Sequence, residues 1–113
     1  MIARLVLVSI LAVLAACSSD ADKQLEAVKS ARSVIAEWAL VEDQSSNDRA
    51  QETYVEQIRK LAKDQLKSDQ TSLAGQPDAS ELLNRLRASS PDAEALKRAG
   101  FMLEPLEERF EAP

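Results

Sequence analysis

Residues 48–66 read DRAQETYVEQIRKLAKDQL, and their spacing decides the fold. Ala50, Tyr54, Val55, Ile58, Leu61, Ala62 and Leu66 recur three and four positions apart, which gathers them on one arc of a helix. Arg49, Glu52, Glu56, Arg59, Lys60, Lys63, Asp64 and Lys67 occupy the other side, with Glu56 and Lys60 placed as a favourable i,i+4 pair. Gln65 and Asp69 intrude on the arc, so the stripe is expected to fade after Leu66 and to give about five turns of packing length. A helix with one apolar stripe needs a partner to cover it.

That partner lies upstream. Ala27, Val28, Ala31, Val34, Ile35, Trp38 and Val41 share an arc opposite Asp22, Glu26, Lys29, Arg32 and Glu37, predicting a helix over residues 20–43. The β-branched content of residues 34–41 would also suit a strand, but the apolar stripe extends over several turns before it and favours helix. Gln44-Ser45-Ser46-Asn47-Asp48 reads as a turn, with Ser46 or Asn47 expected to cap the start of the second helix. Trp38 and Tyr54 lie on the facing arcs and are expected to pack between the two helices.

Downstream the elements shorten. Residues 68–77 (SDQTSLAGQP) have the composition of a loop, punctuated by Gly75 and Pro77. Ala79, Leu82, Leu83 and Leu86 predict a short helix over residues 78–87, and Ser90-Pro91 reads as the cap and first residue of a fourth. Gly100 is expected to end that helix, and residues 105–110 to add one last turn. Phe101, Met102, Leu103 and Phe110 are hard to bury in so broken a setting. They are expected to form an apolar surface for a partner, rimmed by a tail of net charge −3 over residues 104–113. The chain shows no internal repeat, and its stripes hold no coiled-coil heptad. The fold expected is all-α: one small helical domain over residues 21–113, a long antiparallel two-helix hairpin followed by short C-terminal helices. Leu, Ile, Val and Phe number only 19 in residues 18–113, so this domain is small and its core thin.

Composition excludes much chemistry. The 113 residues include no histidine, one cysteine and two glycines. There is no imidazole base, no thiolate metal cage, no internal disulfide and no phosphate-cradling glycine loop. The paired carboxylates Glu42-Asp43 and Glu107-Glu108 have no apolar setting to raise a pKa. No catalytic residue, metal site or cofactor is expected, and the chain reads as a non-enzyme. Arg59, Lys60, Lys63 and Lys67 share their face with Glu52, Glu56 and Asp64, and the net charge of −5 argues against nucleic acid.

The N-terminus reads as an address. Met1-Ile2-Ala3-Arg4 carries one positive charge, and residues 5–14 (LVLVSILAVL) are apolar. That run is too short to span a bilayer, which needs ~20 apolar residues, and it suits a secretory signal. It closes on Leu14-Ala15-Ala16-Cys17, which resembles the lipobox of bacterial lipoproteins: an aliphatic residue, two small residues and cysteine. The resemblance implies that the Cys17 thiol receives a diacylglyceryl group and that residues 1–16 are a cleaved signal peptide. The new amino group would be acylated in turn, with residues 17–20 as lipidated cysteine and tether. It also accounts for a lone cysteine in an oxidising compartment, where a free thiol is a liability. Two or more acyl chains make a stable anchor. In that family an aspartate after the cysteine tends to retain the protein at the inner membrane, so Ser18 implies sorting to the outer membrane, facing the periplasm. The function expected is a binding or accessory subunit of an envelope complex, held to the membrane through Cys17 and engaging a protein partner. The alternative is a protective lipoprotein of the immunity or entry-exclusion type.

Overall fold

The apolar arc of residues 27–41 is wide enough to serve two neighbours, and the chain uses it so. The structure, a computed structural model, describes residues 2–47 and 51–112, with side chains described from Asp20 onward. Asp48, Arg49 and Ala50 lie outside the described residues. Four helices follow one another: α1 (Ile2–Ser46), α2 (Glu52–Ser72), α3 (Pro77–Ala88) and α4 (Ala93–Glu111). The described residues contain no strand, and the domain is all-α.

α1 and α2 form the expected antiparallel hairpin: Glu42 meets Arg59 towards one end, and Ser30 meets Asp69 towards the other. α4 lies antiparallel on another flank of α1, where Arg32 pairs with Glu107 and Lys29 with Glu111 at 3.6 Å. α3 packs on α2 and touches α4, closing a ring of four helices. Val28, Ala31, Ile35 and Trp38 of α1 form the core with Ala62 and Leu66 of α2, Leu83 and Leu86 of α3, and Leu96, Ala99 and Leu103 of α4. Each is withdrawn from water, the main favourable term available to so small a chain.

Several boundaries differ from the sequence reading, each for a local reason. Ser46 and Asn47 do not cap α2. Their side chains donate back to the Asp43 carbonyl at 2.8 and 2.9 Å, extending the end of α1, and α2 starts after Gln51 without a side-chain cap. Residues 68–72 are not loop but the last turn of α2. Asp69 is drawn into the interface with α1, and Leu73 is fully buried where the chain turns. The cap of α4 is Asp92 rather than Ser90, its carboxylate accepting from the Ala95 N–H at 2.8 Å. Gly100 does not end α4, and Pro105 lies inside it. Gly and Pro cost a helix interior about 1 and 3 kcal/mol. Leu96, Ala99 and Leu103 before Pro105, and the partly buried Leu106 and Phe110 after it, hold the helix to the core across both. On α2 the arc is rotated. Val55, Ala62 and Leu66 are buried, while Tyr54 and Leu61 are 49% and 63% exposed, so Tyr54 is not the core partner of Trp38.

The two carboxylates between α1 and α2 respond to pH in opposite senses. The Arg59 guanidinium, bound to both Glu42 oxygens at 2.5 and 2.9 Å, holds that carboxyl below its ordinary 4.5, with burial working against it. The stability it adds is present above that value and is lost as pH falls through the lowered one. Asp69 is buried with only the neutral donors Ser30 Oγ, at 3.0 Å, and Gln65 Nε2, at 3.2 Å. Burial raises its pKa above the ordinary 3.8, and the two hydrogen bonds only partly offset this. Its stabilising contribution is therefore fully present below about 3.8 and lost as pH rises through the raised value. Asp69→Asn, which keeps an acceptor and removes the charge, should flatten the unfolding free energy in that window when urea titrations are run at a series of pH values. An unchanged pH slope would show that the carboxylate is not desolvated.

Candidate functional site

The surface of this molecule carries more of its character than the interior does. Of the four residues expected to form a partner surface, two are exposed and two are not. Phe101 and Met102 stand 72% and 65% exposed. Leu103, 1% exposed, belongs to the core, and Phe110 packs against it from the edge. The periodicity of α4 is the reason. Consecutive helical residues point 100° apart, so a run of three apolar residues cannot share one face once the helix continues through them.

Phe101 and Met102 consequently serve different hollows. Phe101 lines an open groove of about 640 Å³ between α1 and α4, walled by Ile35, Ala36, Ala39 and Leu40 on one side and Leu96 and Gly100 on the other. Arg32, Ser33, Asp43 and Lys97 stand at its margin. Leu40, 58% exposed, faces Phe101's wall from α1. Met102 lines a smaller hollow of about 280 Å³ with Pro77, Leu82, Pro105 and Leu106, at the start of α3.

Gly100 shapes the first groove. A Cβ built there would meet only Ile35 Cγ2, at 3.9 Å, an ordinary contact, so alanine would fit. Close packing does not require the glycine. Its effect is to leave the groove floor one methyl deeper, at a cost in helix propensity. Leu40 and Gly100 were the positions that sequence reading missed. Leu40 lies off the apolar arc of α1, and a mid-helix glycine reads locally as a stop.

Between α1 and α2 a second set of groups joins the two helices. Trp38 is buried and donates from Nε1 to Glu42 at 3.1 Å, while Lys63 Nζ stands 6.0 Å from the ring centroid. Glu42 thereby links Trp38 to Arg59, and two members of the charged stretch on α2, Arg59 and Lys63, are tied to packing. Among the described residues no group of three or more histidine, cysteine, aspartate or glutamate side chains is placed to hold a metal ion. None of their helices is long and apolar enough to cross a membrane. Cys17 and Ser18 fall on the helical backbone of α1, and their side chains lie outside the described residues. Comparison with family models, with curated proteins and with solved structures finds no match to this chain.

Proposed function

We propose that this chain is a bacterial lipoprotein, anchored through acyl chains on Cys17, that serves as a non-enzymatic binding or accessory subunit of an envelope complex. The observation that carries the reading is Leu14-Ala15-Ala16-Cys17 at the close of a ten-residue apolar run, with Cys17 the chain's one cysteine. Ser18 in place of aspartate supports the outer membrane, facing the periplasm, as its destination. The binding role is supported by the apolar side chains of Leu40, Phe101 and Met102, which the domain leaves in water. Leaving side chains of this size exposed forgoes burial that a small core could use, which makes sense where a partner covers them.

The test is metabolic labelling in the native host. Wild-type chain should take up labelled palmitate, and Cys17→Ala should lose the label and accumulate as uncut precursor. An unlabelled wild type, or a Cys17→Ala variant that matures normally, would remove the anchor from the proposal. Crosslinking of the lipidated protein in its own membrane then tests the accessory role separately.

A further inference from the structure

We propose that the α1–α4 groove binds a cationic amphipathic helix, one whose apolar stripe is flanked by lysine or arginine; this rests on the reading of the chain as a binding subunit and names its partner's chemistry. The shape comes first. Two antiparallel helices leave an open trough between them, with Ala36, Ala39 and Gly100 as a low floor and Leu40 and Phe101 as raised lips. A third helix can lay a ridge of side chains into such a trough, as helices pack on one another and as helical peptides fill grooves.

The charges around the trough choose the partner. Its nearby cations are already occupied: Lys29 with Glu111, Arg32 with Glu107, and Lys97 with Glu94 at 3.8 Å. Three carboxylates nearby are not, among the described residues. Asp43 on the α1 margin forms no ion pair among the described residues, and neither do Glu104 and Glu108. Glu104 and Glu108 follow Phe101 by three and seven positions, so they continue its face along α4. The groove therefore offers apolar walls with one carboxylate, Asp43, on its α1 margin that forms no ion pair among the described residues, and two more, Glu104 and Glu108, further along α4 beyond its lining. An alkyl chain would fill the walls and leave the carboxylates without a counterpart, whereas flanking lysines meet both demands.

The test uses the full chain in phosphatidylcholine nanodiscs, with empty discs as blank, and a designed leucine-striped helix about five turns long. One version carries lysines beside the stripe and its twin carries glutamates. Fluorescence anisotropy should show the lysine version binding at least about tenfold tighter, with the advantage shrinking as salt is added. Phe101→Ser, Leu40→Ser and the groove-filling Gly100→Leu should each weaken it about tenfold while leaving the helical circular dichroism intact. Met102→Ser, on another face, should leave it unchanged. Equal binding of the twins, or a Met102→Ser loss as large as that of Phe101→Ser, would overturn the proposal. A fatty acid that displaces the peptide would assign the groove to an alkyl chain instead. Self-association of the chain abolished by Phe101→Ser would assign it to a second copy. None of these outcomes touches palmitate labelling of Cys17, so the anchor reading stands or falls separately.

Discussion

Trp38→Ala is expected to cost about 3–5 kcal/mol of unfolding free energy, enough to leave so small a domain largely unfolded. The ring is 1% exposed and is the largest fully buried side chain among the described residues. Its loss opens a cavity where α1 meets α2, and the neighbours on two helices cannot collapse into it without shifting the hairpin. The same substitution removes the Nε1 hydrogen bond to Glu42 and takes away the surface over which Lys63 lies. Urea unfolding followed by circular dichroism measures the effect. A loss under about 1 kcal/mol would mean that the indole does not fill the seam.

Leu103→Ala should cost about 2–5 kcal/mol, whereas Phe101→Ala and Met102→Ala should each change stability by no more than about 0.5. Three adjacent residues thus divide sharply. Leu103 touches the core from α4, and Phe101 and Met102 project to either side of it. Thermal unfolding of the three variants side by side checks this. If all three are equally mild, α4 does not run as one helix through Gly100, and the broken reading of this segment is restored.

The contrast shows where sequence suffices. The hairpin was legible because its two stripes repeat over many turns, and Ala27, Val28, Ala31, Ile35 and Trp38 are buried as their spacing requires. What escaped was α4. Gly100 and Pro105 are strong local stop signals, and the forces that overrule them come from residues 65 to 82 positions away: Ile35 opposite Gly100, Arg32 opposite Glu107, and Lys29 opposite Glu111. The charged side of α1 also looked like a solvent face, because nothing in its own segment announces that a later helix will supply matching carboxylates. Of the candidate surface, Phe101 and Met102 were legible as apolar residues in excess of the local core. The groove was not, since it exists only where α4 meets α1.

The hydrogen bond between Ser30 and Asp69 has a consequence beyond stability. The α1–α2 seam is rich in alanine, with Ala27, Ala31 and Ala62 buried along it, and surfaces of small side chains slide past one another with little steric penalty. A slip of one helical turn, about 5.4 Å, would still lay alanine against alanine at those positions. It would also carry Asp69 away from Ser30 and strand a carboxylate in an apolar seam, a far heavier cost than the aligned pair bears. A residue that weakens the folded state at neutral pH thereby weakens every misaligned hairpin more. Asp69 disfavours a slipped pairing, together with Trp38 and the Glu42–Arg59 pair, which a slip would also displace.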